Sequence, residues 1–424
     1  MYIHVVERGD TLWILVNRYG VTIRQINTAN GLSDSDKLVI GQSLVIPTAN
    51  EYHTVKQGES LWQIAKLYGT TPERIAQVNQ LVNLNLIQVG QRLKLPTKTK
   101  PFKEVNAYLI NQGSTGQKMI EQIGQHLTYL CPFSYEVRSD GSLKTLNDLN
   151  LLTISRSKQV APLMSISNLD DKGFNSAIVH TVLTDLPVQQ SLIDNIVRIM
   201  AEKGFRGLNV DFEYVPSGDR ERYNYFLQQL VNRLHPRGYS VSSALAPKLS
   251  SIQKGLLYEA HDYPIHGQLL DFMVLMTYEW GWAGGPPMAI SPLNMVKRVV
   301  DYAVTVIPNS KIMIGIALYA RDWTLPYVKG GPNARTFSPQ YAIQLATRYH
   351  APIQYDQLSQ SPFFEYTDEQ GRNHVVWFED ARSMQAKFNL VKDYNLRGIS
   401  YWVLPASFEQ VWYVQEDSFE VIKL

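Results

Sequence analysis

The sequence predicts an α/β protein: a TIM (β/α)8 barrel with a small α+β insertion, preceded by two small βααβ modules. Three observations carry this prediction. Short apolar runs alternate with amphipathic stretches from about residue 103 onward. The segment before them repeats itself once. One late interval between apolar runs is too long for a single crossover and contains a hairpin pattern.

Composition bounds the answer. At 424 residues the chain exceeds one ordinary domain, and an apolar fraction of 45% allows a large core. A net charge of +2 with no dense Lys/Arg cluster argues against a nucleic-acid partner. Cys131 is the single cysteine, so there is no intrachain disulfide, and after Leu130 it reads as a small buried hydrophobe. Nine scattered histidines give no metal-ligand spacing, so neither metal nor other cofactor is expected. No apolar stretch is long enough to span a bilayer. MYIHVVERGDTLW has no basic segment followed by an apolar one, so no secretory signal is expected. The protein is expected to be a monomer.

The repeat comes first along the chain. HVVERGDTLWILVNRYG begins at His4 and HTVKQGESLWQIAKLYG at His53, and the two copies align without a gap. Gly9 matches Gly58, Leu12-Trp13 matches Leu61-Trp62, Tyr19-Gly20 matches Tyr68-Gly69, and Gly41-Gln42 matches Gly90-Gln91. Each copy reads strand, helix, helix, strand, with Asp10-Thr11 or Glu59-Ser60 as helix caps and a closing strand stopped by proline. The units are expected at residues 1–48 and 50–97, with TKTKPFKE (97–104) as a linker into a third domain over 98–424.

Each unit resembles a LysM module, in GDTLW, YG, the asparagine and GQ-L-IP. The resemblance implies binding of N-acetylglucosamine polymers such as peptidoglycan or chitin. It implies a groove at Asp10, Thr11, Asn30 and Leu32, and at Glu59, Ser60, Asn79 and Leu81. Helix capping is the other reading of Asp10 and Thr11, and both roles can coexist. Two weak sites on one tether gain avidity for a repetitive ligand.

Eight apolar runs follow: 105–110, 127–133, 160–167, 207–212, 240–246, 272–278, 312–318 and 399–404. Alternation of such runs with helices argues for a parallel sheet, and eight units suit a closed barrel. Residues from about 325 to 376 hold FFEYTDEQGRNHVVWF, a hairpin turning at Asp368–Gly371, and are expected to form an insertion walling a cleft.

RGLNVDFEYVP (206–216) raises the functional question, because it ends an apolar run with two acids. On a strand, side chains alternate. Leu208, Val210 and Phe212 then face the helices, and Asn209, Asp211 and Glu213 climb the barrel interior to the C-terminal mouth, where such barrels build active sites. A purely structural hydrogen-bond ladder is the competing reading. Against it, Tyr108, Met276, Tyr278, Glu279, Trp280, Tyr319, Arg321 and Trp402 lie on or near the ends of other strands. Aromatic and polar groups at one rim suit a sugar cleft.

This domain is similar to glycoside hydrolase family 18. The family's D-x-x-D-x-D-x-E appears as Arg206, Asn209, Asp211 and Glu213, with only the last two matching. M-x-Y-D becomes Met276, Thr277, Tyr278 and Glu279, GIALYARDW is close to the strand-seven pattern, and the strand-three S-x-G-G is SISN, Ser165 to Asn168. The resemblance implies a retaining hydrolase in which the substrate's own acetamido group is the nucleophile. It implies Glu213 as acid and base, Asp211 as acceptor of the acetamido N–H, and Tyr278 as donor to the acetamido oxygen. Trp402 would floor the −1 pocket, or else be an ordinary core tryptophan. Asn209 is expected to hydrogen-bond Asp211 and to alter the pH dependence. Two LysM modules before this barrel, with no leader, resemble the spore cortex-fragment-lytic N-acetylglucosaminidases of bacilli. That implies cleavage after N-acetylglucosamine in cortex peptidoglycan fragments, by a protein made in the mother cell and laid on the spore. A chitinase and a non-catalytic chitinase-like coat protein are the alternatives.

Overall fold

The computed structural model describes residues 1–33, 37–48, 52–96 and 99–424. Thr97 and Lys98 of the expected linker lie outside them.

The barrel strands are Phe102–Leu109, Tyr129–Pro132, Ala161–Ser167, Gly207–Asp211, Ser240–Leu245, Phe272–Leu275, Ile312–Ala317 and Gly398–Leu404. All neighbours are parallel, and the eighth strand pairs with the first to close the ring. Each strand falls on one of the eight apolar runs. The sixth stops at Leu275 rather than Tyr278. There Thr277 and Tyr278 donate their N–H groups two residues back, to Leu275 and Met276, and these tight turns take the chain out of the ladder.

Strand four shows the alternation that the sequence implies. Leu208, Val210 and Phe212 are fully buried in the apolar layer between barrel and helices. Phe212 stacks on Phe226 of helix Arg220–Leu234 at 5.8 Å between ring centroids. Asn209 and Asp211 are buried on the other face, inside the ring.

The insertion is a five-stranded antiparallel sheet with helix Pro339–Arg348 packed on it. Its first strand, Ala320–Leu325, begins before the expected edge at 325 and carries Arg321. The hairpin Ser361–Thr367/Asn373–Trp377 turns at Asp368–Gly371, with Gly371 in the left-handed region that favours glycine.

Each N-terminal unit is a two-stranded sheet with two helices. Thr11 and Ser60 are the helix N-caps. Asp10 and Glu59 act differently. Each accepts the N–H of the residue three earlier and pairs with a buried histidine, His4 or His53, at 2.9 and 2.7 Å.

The two units are not equivalent. The first is docked on the rest of the protein. Ala29 and Val45 belong to the apolar cluster around the barrel, and Val39 to the core of the insertion. Gln410, on helix Glu409–Ser418, donates to Asn30 Oδ1 at 2.9 Å and to the Ser43 carbonyl at 2.8 Å. Gln340 donates to the Gly31 carbonyl, Ile353 N–H to the Ile40 carbonyl, and Arg382 to the Gly41 carbonyl. A Cβ on Gly41 would lie 1.8 Å from the Ile353 carbonyl oxygen, so the close approach needs glycine. In the second unit the gapless register puts Val78, Gln80, Arg92 and Lys94 where the first has Ala29, Gly31, Ser43 and Val45, and all four are exposed.

Candidate active site

Glu213 stands at the mouth of strand four, where two cavities meet. One, of about 410 Å³, is lined by Tyr108, Phe133, Leu169, Phe174, Asp211 and Trp402 among others. The other, of about 130 Å³, includes Pro247, Leu257, Tyr258 and Trp280. Glu213, Met276, Tyr278 and Glu279 line both. The acid therefore sits between an aromatic chamber and a second, smaller one.

The chamber wall is a set of edge-to-face rings. Trp402 packs against Phe133 at 4.8 Å and Tyr108 at 5.5 Å between centroids. Tyr278 reaches the chamber because strand seven has a glycine behind it. A Cβ on Gly315 would lie 2.5 Å from Tyr278 Cε1. Burial, and then the charges of Asp211, Glu213 and Glu279, keep the Tyr278 phenol protonated far above its ordinary range. It is therefore a hydrogen-bond donor.

The carboxyls are tuned by the same surroundings. Burial raises Asp211. Burial first, then the charges of Asp211 and Glu279, hold Glu213 well above the usual carboxylate range. Asp211 Oδ1 is buried with no hydrogen-bond partner among the described residues. Asn209 does not bond Asp211 as expected. Its Oδ1 accepts from the Tyr108 hydroxyl at 2.8 Å and its Nδ2 donates to Ser242 Oγ at 3.0 Å, so both ends of the amide are already engaged.

Glu279 is a carboxylate with fixed partners. It accepts from Arg321 at 2.5 Å and from the Tyr319 hydroxyl, while Arg321 also donates to Thr336 at 2.7 Å. Tyr319 and Arg321 thus hold Glu279. Tyr214 and Glu279, each directly after a site residue, have φ of +54° and +64°. Such left-handed conformations at non-glycine residues cluster at functional sites.

Two residues the sequence reading passed over hold the strand end. Asn168 Oδ1 accepts the Glu213 N–H and its Nδ2 donates to the Glu213 carbonyl, both at 2.9 Å. His261 Nε2 bonds the Phe212 carbonyl at 3.0 Å. SISN in place of S-x-G-G was the available signal for Asn168. His261 carried none.

In the first N-terminal unit, Asp10, Thr11, Leu12, Trp13, Ile23, Arg24, Lys37 and Leu38 line a groove. Trp13 and its counterpart Trp62 are 70% and 62% exposed. The two asparagines have structural partners. Asn30 is fully buried, and its amide bonds Ile26, Val45 and Gln410. Asn79 makes the matching bonds to Ile75 and Lys94. Both tie the second helix to the closing strand, and burial leaves Asn30 with no amide group for a sugar. Leu32 and Leu81 pack against the cores of their own units. Among the described residues no group of three or more His, Cys, Asp or Glu is arranged to hold a metal, and no helix is long and apolar enough to cross a membrane.

The chain belongs to glycosyl hydrolases family 18, whose domain matches residues 104–406, and the closed barrel with this acid at its mouth is therefore that of a glycoside hydrolase. Two LysM domains match residues 4–47 and 53–96. Over its full length the chain is 51% identical to the cortical fragment-lytic enzyme of Bacillus subtilis, covering 99% of that protein. It is 45% identical to the enzyme of that description from Bacillus anthracis, with 99% and 98% of the two chains covered. Among solved structures, the spore cortex-lytic enzyme SleL of Bacillus megaterium superposes with a TM-score of 0.89 at 42% identity, covering 100% and 99% of the two chains. A Chromobacterium violaceum chitinase matches 74% of this chain and 98% of its own, with a TM-score of 0.68 at 25% identity.

Proposed function

We propose that this hydrolase is a retaining N-acetylglucosaminidase that cleaves spore-cortex peptidoglycan fragments by substrate-assisted catalysis. The full-length similarity to cortical fragment-lytic enzymes supports the substrate class. One observation carries the mechanism: among the described residues, Glu213 is the only carboxyl at the junction of the two cavities that is free to act on the bond. Glu279 is held by Arg321 and Tyr319, and Asp211 lies below, at the last position of the strand.

The −1 N-acetylglucosamine occupies the aromatic chamber, with Trp402 against its ring. Protonated Glu213 gives its proton to the glycosidic oxygen. The acetamido oxygen attacks C1, the leaving sugar departs through the second cavity, and an oxazolinium ion forms. The unpartnered Asp211 Oδ1 accepts the acetamido N–H and offsets the positive charge. Tyr278 donates to the acetamido oxygen and aims it. Glu213, now a carboxylate, takes a proton from water, which opens the ring with net retention. Asn209, engaged by Tyr108 and Ser242, shares no proton with Asp211.

A muramic lactam has its nitrogen tied into a ring and cannot assist in this way, so cleavage follows N-acetylglucosamine. The LysM units hold the enzyme on glycan, Thr11 and Ser60 lying at the loops that begin their grooves. A spore-associated role follows from the similarity, and deposition from the mother cell is the route that fits it. The test is mass spectrometry of products from purified cortex fragments, with wild type beside Glu213→Gln. New reducing N-acetylglucosamine ends that are absent with the variant support the reading. Solubilisation of chitin but not of cortex rejects the substrate.

A further inference from the structure

We propose that Asn168 and His261 are positioning residues for the acid, together fixing the one peptide unit on which Glu213 is mounted. The inference rests on Glu213 being the general acid.

The need for such a device follows from where strand four ends. Its ladder with strand three runs to the pair Asp211/Ser167, and its ladder with strand five to Val210/Ser243. Phe212 and Glu213 lie beyond both ladders. At Tyr214 the backbone enters the left-handed region, so the strand direction is lost one residue after the acid. A catalytic side chain here would ride on a strand end with no sheet partner on either side.

Side chains take over from the ladders. The peptide between Phe212 and Glu213 offers a carbonyl on one side and an N–H on the other. His261 donates to the carbonyl at 3.0 Å, and the N–H donates to Asn168 Oδ1 at 2.9 Å. Asn168 also donates to the next carbonyl, that of Glu213, at 2.9 Å. The carboxamide thus mimics the next residue of strand three and continues the pairing. Ser176 holds the carbonyl of Tyr214 at 2.7 Å.

Both clamps are themselves fixed. Asn168 is fully buried and gives a second bond to the Asn175 carbonyl at 3.1 Å, while its own carbonyl accepts the Asn175 N–H at 2.8 Å. His261 Nδ1 accepts the N–H of Ala246 at 2.8 Å, which places the proton on Nε2, facing Phe212. The two come from opposite neighbours of strand four, the loops after strands three and five. A glycine at position 168 would supply neither bond. A general acid is effective only within hydrogen-bond reach of the atom it protonates, so freeing this peptide lowers kcat more than it weakens binding.

The test compares two substrates that differ in their demand for the acid: cortex fragments, with a poor sugar leaving group, and a 4-nitrophenyl N-acetylglucosaminide, whose leaving group departs with little protonation. Asn168→Gly and His261→Ala should lose ~10- to 100-fold in kcat on fragments with KM changed less than about 3-fold. On the nitrophenyl substrate they should lose less than about 5-fold. Asn168→Asp, nearly isosteric, keeps the acceptor and loses the donor, and should fall between wild type and Asn168→Gly. Thermal melting accompanies every variant, and Asn168→Asp decides the matter if the others do not fold. Equal losses on both substrates, or none on fragments, overturn the proposal. Glu213→Gln is the control: if it fails to show the same substrate dependence, the assignment of the acid fails; if it shows it and the clamp variants do not, only this inference fails.

Discussion

Gly315→Ala tests whether Tyr278 must sit where the fold puts it. The added Cβ would stand 2.5 Å from Tyr278 Cε1 and 2.9 Å from the Leu275 carbonyl oxygen. Ordinary contact begins at 3.4 Å, so the ring has to retreat by about 0.9 Å. A displacement near 1 Å of a group that orients the reacting atom costs roughly 10²-fold in rate, or ~2.7 kcal/mol of barrier. The overpacking itself costs about 1–3 kcal/mol of stability. The assay is initial rates on fragments, with the folded fraction checked by thermal melting. Gly267→Ala serves as the control, because its Cβ would crowd Ile307 at 3.1 Å on a helix outside the site. A folded Gly315→Ala within about 3-fold of wild type would refute the reasoning. So would an equal rate loss in the control.

Three further outcomes follow from the structure. Asp211→Asn removes a charge that raises Glu213, so the basic limb of the kcat/KM profile should move to lower pH while the rate falls; a limb that stays or rises contradicts the coupling. Glu213→Gln should melt higher than wild type near neutral pH. Because the folded-state pKa is raised, the destabilising charge develops as pH climbs past the unfolded value of about 4.3, so the gain should vanish below it; a gain independent of pH speaks against a buried, strained acid. Val45→Lys copies the residue at Lys94 into the docked unit and places an unpaired ammonium at a fully buried site. It should cost at least ~3 kcal/mol and open residues 1–48 to proteolysis, whereas Lys94→Val should leave stability nearly unchanged.

The alternation of strand four was legible because a barrel strand has two faces of different chemistry. That alone separated Leu208, Val210 and Phe212 from Asn209, Asp211 and Glu213. Tyr278 was legible at the end of its run, although it lies three residues beyond the strand. Asn168 and His261 were not legible as clamps, because both lie past the ends of their strands, where strand periodicity no longer says which way a side chain turns. Asn209 was read as a partner of Asp211 from spacing along the strand. Tyr108 from across the barrel and Ser242, its register partner on strand five, reach its amide instead. Asn30 and Asn79 match between the repeats because each ties a helix to a strand, and an identity of this kind carries no information about a ligand. The docking of the first unit was written in the mismatches between the copies, where small or apolar residues in one face exposed residues in the other.

The central claim is that the substrate supplies the nucleophile, and the most direct test is a series of substrates whose −1 N-acetyl group carries zero to three fluorines. Fluorine withdraws electrons from the acetamido oxygen and leaves the sugar otherwise unchanged. kcat/KM should fall steeply and steadily with each fluorine. A rate independent of fluorination would mean that the acetamido oxygen does not attack C1, and would contradict the roles given to Asp211 and Tyr278.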